Sequence, residues 1–188
     1  MFDALISSLH TFGIQSEKDI AEFTKRLKPL TIQKKDSLLD LGETCSFMVF
    51  VEQGNLIHYY ENEEGEEVIV KLWMENDWVV DHQSFTTQSP SKNRIEAYED
   101  CKIWQIGLCD IHEVIGISPS FFALGRILGK ASFDPSGRSK KTSPEEKYRS
   151  LLQNEPKLLQ RFPLKLIASY LGITPETLSR VRQKVVRS

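Results

Sequence analysis

The sequence predicts an α+β chain: a β sandwich or barrel flanked by helices, then a connecting helix and a small basic helical tail. Three observations predict it. Apolar residues recur at helical spacing before residue 28 and again after residue 110. Between residues 30 and 106 they fall instead into short runs rich in β-branched and aromatic types, separated by turn residues. The charge is also divided. From Arg138 to Ser188 twelve Lys and Arg stand against four acids, a net of +8, so the formal −2 of the chain leaves −10 on the other 137 residues. A basic tail on an acidic body points the tail toward a polyanion.

Taken in order, Phe2, Leu5, Ile6 and Leu9 mark a first helix, and Ile20, Phe23 and Leu27 a second. Ser16 with Asp19 three residues on reads as the cap that opens the second, and Pro29 ends it. The β texture follows. Phe47-Met-Val-Phe-Val51 leads to the turn Gln53-Gly54, and Leu56-Ile-His-Tyr-Tyr60 runs into the acidic turn Glu61-Asn-Glu-Glu-Gly65. Val68-Ile-Val-Lys-Leu-Trp73 and Ile103-Trp-Gln-Ile106 complete the series. Strands at this spacing favour a sandwich or barrel over a βαβ sheet. After Asp110 the helical period returns, with Phe121, Leu124 and Leu128 on one face beside Gly125 and Gly129, in a helix expected from Pro119 to about Phe133. Asp134-Pro135-Ser136-Gly137 breaks that helix, since proline costs about 3 kcal/mol in a helix interior. Arg138 to Ser143 reads as a linker, and Ser143-Pro144-Glu145-Glu146 as a new helix start: cap, proline, acids in the first turn.

Several chemistries are not expected. Cys45, Cys101 and Cys109 form no Cys-x-x-Cys pair and are read as small hydrophobes rather than a disulfide or a cluster. His10, His58, His82 and His112 are scattered, so no metal site is expected. No nucleophile elbow, P-loop or metal triad is present, so neither catalytic residues nor an enzyme nor a cofactor is expected. No apolar run reaches the roughly 18 to 20 residues of a membrane span. The first residues also lack the basic start of a signal peptide, and a cytoplasmic location is expected.

The informative stretch runs from Phe162 to Lys184. A first short helix begins near Pro163 and is expected to bury Leu164, Ile167, Ala168 and Leu171, stopping at Gly172 in a left-handed conformation. Ile173 tucks under the turn. Thr174 then caps a second helix with Pro175 at its first position. That helix buries Leu178 and Val181 and turns Pro175, Glu176, Ser179, Arg180 and Arg182 outward. Small Ala168 suits a close helix crossing. This is helix-turn-helix geometry, in which the second helix enters the DNA major groove. Arg180 can donate two hydrogen bonds to a guanine, Glu176 can accept from a cytosine amino group, and Ser179 is short enough to touch a base. Thr174, Thr177 and Lys165 are placed for phosphates, and Arg182 and Lys184 extend the basic face.

With these residues in hand, the segment resembles the helix-turn-helix of the Crp/Fnr family of bacterial transcription regulators, Glu176-x-x-Ser179-Arg180 matching the Glu-x-x-Ser-Arg motif of the Fnr branch. The body agrees. Gly42-Glu43 ahead of Phe47–Val51, then Gly54 and the turn at Gly65-Glu66, resembles the cyclic-nucleotide-binding jelly roll. The resemblance implies a jelly-roll sensor domain over residues 1–118, a connecting and dimerising helix with linker over 119–142, and a helix-turn-helix domain over 143–188. It also implies a homodimer on double-stranded DNA, with RNA polymerase as a candidate further partner.

The chain departs from that pattern where the nucleotide would sit. Nucleotide-binding members use a Gly-Glu turn and a later Arg-Ser/Thr-Ala, because glycine lets backbone N–H groups approach a phosphate and arginine neutralises it. Here Val80-Asp81 stands in place of the Gly-Glu turn, Ser91 in place of the arginine, and no glycine occurs between Gly65 and Gly107. Arg94 has the wrong spacing. Cyclic AMP is therefore not expected to bind in the family manner. Trp73, Trp78, Asp81, His82, Ser91 and Arg94 are the candidates for a remodelled effector pocket, the two tryptophans being equally readable as core. Two functions follow: a sequence-specific DNA-binding regulator, or a small-molecule-binding module whose basic tail contacts a protein.

Overall fold

The computed structural model describes residues 2–132 and 142–186. The expected break at Asp134-Pro135-Ser136-Gly137, and Phe133, Arg138, Lys140, Lys141 and Arg187, lie outside them. Two compact units are present. Of the described residues, 2–58 with 73–132 form one, and 59–72 with 142–186 form the other.

The first unit opens with α1 (Asp3–Phe12) and α2 (Glu17–Thr24). Ser16 caps α2 as its position predicts, its hydroxyl accepting from the Asp19 N–H at 3.3 Å. Then come β1 (Lys28–Ile32), β2 (Ser37–Leu39), β3 (Phe47–Gln53), β4 (Leu56–Glu61), β5 (Glu67–Trp73) and β6 (Trp78–Val79), of which residues 59–72 in β4 and β5 group with the second unit. A short helix α3 (His82–Thr87) precedes β7 (Arg94–Ala97) and β8 (Cys101–Gly107). Pro29 therefore does not simply stop α2; it lies in β1, opposite Trp104 of β8.

The strands form two four-stranded sheets, ordered β1-β8-β3-β6 and β2-β7-β4-β5. In the first, β3 runs antiparallel to β8 from Phe47 opposite Gly107 to Val51 opposite Ile103, and β6 adds Val79 opposite Val49. Leu39, Leu56, Ile95 and Ala97 of the second sheet join Val49, Val51 and Ile103 of the first in one buried cluster, so the core lies between the sheets. The other face of β3 is covered as well. Phe50 meets Trp78 at 5.3 Å between ring centroids, Trp78 meets Phe23 of α2 at 6.0 Å, and Phe23 stacks on Phe121 at 6.2 Å. Burial on both faces is why Phe47–Val51 reads as a continuous apolar run rather than an alternating one. Between β3 and β4, Gly54 has φ +95°, and a Cβ there would stand 2.6 Å from both the Asp100 carbonyl and Cys101 Sγ. Only glycine fits this turn.

After β8 the chain forms α4 (Leu108–Ile117), a 3₁₀ helix (Pro119–Leu124) and α5 (Gly125–Ser132). α4 falls where the helical period returns, ahead of the helix expected from Pro119. The helix expected from Pro119 starts as 3₁₀, because its three-residue period places Phe121 and Leu124 on one line, and both are buried in the core. Ser118 and Ser120 donate to the buried Asp19 carboxylate at 3.0 and 2.6 Å, fastening this segment to α2.

The second unit holds α6 (Pro144–Asn154), α7 (Leu158–Arg161), α8 (Leu164–Leu171) and α9 (Pro175–Val186). Ser143 and Glu146 form a complete capping box, as the start Ser-Pro-Glu-Glu predicts. Tyr148, Leu151, Leu158, Phe162, Ile167, Ala168, Tyr170, Leu171 and Leu178 are the buried apolar residues of these helices. Leu164 is not among them. It is 40% exposed, because the first residue of α8 precedes the turn that packs inward, and this corrects the expectation that it is buried.

Phe23 is fully buried and joins α2, β6 and the 3₁₀ helix. Phe23→Ala is expected to lower unfolding free energy by about 3–5 kcal/mol, read by urea titration.

Candidate nucleic-acid interface

The geometry of α8 and α9 begins with one residue. Gly172 has φ +65° and ψ 39°, the left-handed conformation anticipated from its position. The Ile173 N–H then reaches back to the Ala168 carbonyl at 3.0 Å and the Gly172 N–H to Ser169 at 3.0 Å, closing the end of α8. Lys147 of α6 donates to the Leu171 carbonyl at 3.0 Å, adding a cation at the negative end of the helix dipole. Two residues later Thr174 caps α9, its hydroxyl accepting from the Thr177 N–H at 3.2 Å, with Pro175 at the first helical position. Fully buried Ala168 and Leu178 hold the two helices together.

This places Pro175, Glu176, Ser179, Arg180, Arg182 and Lys184 on exposed positions of α9, and Lys165 on an exposed position of α8. Glu176, Ser179 and Arg180, three and four residues apart, share one face. Besides the capping Thr174, two further predicted DNA contacts carry intramolecular partners. Thr177 is half-buried and accepts from Arg180 Nη2 at 3.3 Å, and Lys184 pairs with Glu145 of α6, which also binds Arg149 at 3.1 Å. The Glu176 carboxyl is held below its ordinary range by its own backbone N–H and then by the Thr174 hydroxyl, so it is a stable hydrogen-bond acceptor. The pairings of Glu145 with Lys184 and of Lys147 with the Leu171 carbonyl were not legible in the sequence, because those partners lie on α9 and α8, far along the chain.

The residues proposed for an effector pocket separate into three groups. Trp73 and Trp78 belong to the core, at 5% and 6% exposure, and Trp78 Nε1 donates to Ser8 Oγ at 2.9 Å. His82 is the half-buried first residue of α3, and Arg94 is exposed on β7, 3.4 Å from Asp40. Asp81 and Ser91 alone come together. Asp81 caps α3, its Oδ1 accepting from the Ser84 N–H at 3.0 Å. Its Oδ2 accepts from Ser91 Oγ at 2.6 Å and from Asn93 Nδ2 at 3.1 Å, while His58 Nε2 of β4 stands 3.5 Å away. Burial by itself would raise the Asp81 pKa. The His58 contact, then the bonds from Ser91, Ser84 and Asn93, outweigh it and hold the carboxyl well below the usual range. His58, Ser84 and Asn93 were missed. Asp81-x-x-Ser84 carries a legible cap signal, whereas His58 arrives from another strand.

Residues 29–117 match the family model of the cyclic nucleotide-binding domain. Solved structures share the fold over more of the chain. FixK2 from Bradyrhizobium japonicum aligns with a TM-score of 0.67 at 17% identity, covering 86% of this chain and 85% of that one. The c-di-GMP-responsive global regulator CLP of Xanthomonas campestris gives 0.63 at 15% identity, covering 92% of each. A protein from Eubacterium rectale assigned to the crp/fnr family of transcriptional regulators gives 0.60 at 18%, covering 92% and 85%. No curated protein is matched by the sequence. Among the described residues no helix is long and apolar enough to cross a membrane, and no cluster of His, Cys, Asp and Glu has metal-binding geometry.

The Asp81 network bears on a cyclic phosphate directly. A phosphate brought to the head of α3 would meet a carboxylate that already engages the Ser84 N–H, Ser91 and Asn93, and the nearest arginine of the stretch, Arg94, faces Asp40. These residues do not fit an anionic ligand there.

Because the folded carboxyl of Asp81 is depressed, its stabilisation is present above the unfolded value of about 3.9 and is lost as pH falls further. Asp81→Ala, which orphans buried donors, is expected to cost about 2–4 kcal/mol at pH 7. The difference from wild type should shrink steadily between about pH 4 and pH 2 in acid-dependent urea titrations.

Proposed function

We propose that this chain is a sequence-specific transcription regulator of Crp/Fnr type that binds double-stranded DNA through α8 and α9 and does not respond to cyclic AMP. The observation that carries the reading is the exposed Glu176, Ser179 and Arg180 row on a helix opened by Thr174-Pro175. A helix so presented can enter a major groove with its N-terminal residues at base edges. Arg180 is the guanine reader, Glu176 the cytosine acceptor, Ser179 a short base contact, and Lys165, Thr174, Thr177, Arg182 and Lys184 position the phosphates. The Lys184 contact with phosphate requires exchange of its Glu145 partner.

A homodimer belongs to the same proposal, since two reading helices one DNA turn apart supply affinity that one lacks. Phe122, 70% exposed, and Ile117, 47% exposed, offer apolar surface for it in the first unit. The division into a sensor domain over 1–118, a connection over 119–142 and a reader over 143–188 is part of the proposal. So are a cytoplasmic site of action and a non-enzymatic role. The sensor is structural or takes an effector other than a cyclic nucleotide, because the Asp81 carboxylate supplies the anion at the head of α3.

Selection from a random duplex pool should recover a two-fold site with half-sites about 10 bp apart. On that site Arg180→Ala is expected to lose about 1–3 kcal/mol and relax preference at one base pair. Lys165→Ala should weaken all duplexes alike and reduce the salt slope by about one. Equal loss on selected and random DNA for Arg180→Ala contradicts its role. Calorimetric titration with cyclic AMP should give no saturable heat up to about 1 mM, a concentration at which a binding free energy near 4 kcal/mol would already register.

A further inference from the structure

We propose that the acidic β4–β5 hairpin is an autoinhibitory latch on α8, an inference that rests on the DNA-reading proposal. Five of the seven residues from Glu61 to Glu67 are glutamates. The hairpin tip is rigidly built for so charged a segment. Asn62 Oδ1 accepts from the N–H groups of Glu64 and Glu66 at 3.1 and 2.8 Å, and the Asn62 N–H bonds the Glu66 carbonyl at 3.0 Å. Glu63, Glu64, Glu66 and Glu67 are exposed.

β5 is the last strand of its sheet, so one side of it has no neighbouring strand. The backbone groups of residues two apart on a strand point the same way, and an open edge needs a partner. Here Ser169 of α8 supplies one. Its hydroxyl accepts from the Ile69 N–H at 2.9 Å and lies 3.4 Å from the Glu67 carbonyl, to which it donates. One side chain, both donor and acceptor, serves the two groups that a further strand would serve. Hairpin and helices accordingly fall within one compact unit.

Ser169 is four residues after Lys165, so the two share a face of α8. The face that would lie along DNA phosphates through Lys165 is therefore the face that holds the hairpin. A duplex approaching it meets a polypeptide edge in its path and, at the contact itself, the exposed Glu67 that begins the acidic tip, with charges felt over roughly 8 Å at physiological salt. The hairpin occupies the place of an anion and repels the real one. DNA binding then requires the Ser169 clamp to open, and whatever stabilises the open hairpin activates the reader.

The test uses the full chain with two duplexes, one selected by the wild type and one random. Ser169→Ala removes both bonds, Ser169→Thr keeps the hydroxyl, and E63Q/E64Q/E66Q/E67Q neutralises the tip. Amide hydrogen exchange at Ile69 reports the clamp independently of DNA. Expected are faster exchange at Ile69 in Ser169→Ala only, and DNA binding about fivefold tighter, the factor that one net hydrogen bond supplies. The four-fold variant should also bind more tightly, and Ser169→Thr should match wild type. Unchanged Ile69 exchange in Ser169→Ala overturns the latch, as does faster exchange with DNA affinity unchanged or weaker. If Arg180-dependent binding is seen but ignores Ser169, the latch alone fails. If neither wild type nor any variant binds any duplex, the DNA-reading proposal fails and takes the latch with it.

Discussion

Met48, Val49, Phe50 and Val51 follow one another on a strand whose side chains must alternate between faces, so both faces of β3 have to be covered by apolar groups. One face is met by the second sheet. The other is met by Trp78, Phe23 and Phe121, which arrive on three different elements. The helices that bracket the strands in sequence are therefore structural parts of the sandwich rather than appendages. The buried Asp19, bonded by Ser118 and Ser120, fixes the point at which the first and last of these elements meet.

A sandwich closed in this way leaves its functional freedom to the loops, and the stretch after β6 has used it to become self-sufficient. Asp81 brings a negative charge to the head of α3 and surrounds it with three hydrogen bonds from its own chain and the His58 ring. A buried carboxylate is tolerable only when so many partners offset its desolvation. The same arrangement commits the Ser84 N–H, the Ser91 hydroxyl and the Asn93 amide to the protein's own carboxylate. This carboxylate lies within residues 29–117, the stretch that matches the cyclic nucleotide-binding domain.

In the second unit the controlling feature is smaller. A left-handed Gly172 and the Thr174 cap set two consecutive helices at a fixed angle, and packing of Ala168 and Leu178 keeps them there. The exposed row on α9 is the consequence, because Leu171 and Leu178 are the residues buried on either side of the turn. Ser169, by contrast, spends its hydroxyl on a strand about a hundred residues earlier in the chain.

What the sequence by itself determined is local. Caps at Ser16, Ser143 and Thr174, the stop at Gly172, the β texture of residues 30 to 106 and the outward row on α9 each depend on neighbours within four residues, and such signals survive in one dimension. Leu164 shows the limit, since helical spacing named its face but not whether the first turn packs. Only the tertiary structure decided that Trp73 and Trp78 are core, that Asp81 gathers Ser91 and His58, that Lys184 meets Glu145, and that the edge of β5 meets Ser169. Apart from the Asp81 and Ser91 pair, these contacts join segments separated by tens of residues. Burial and charge pairing across such distances follow from how sheets and helices stack, and no periodicity along the chain encodes which strand edge or which carboxylate a side chain will meet.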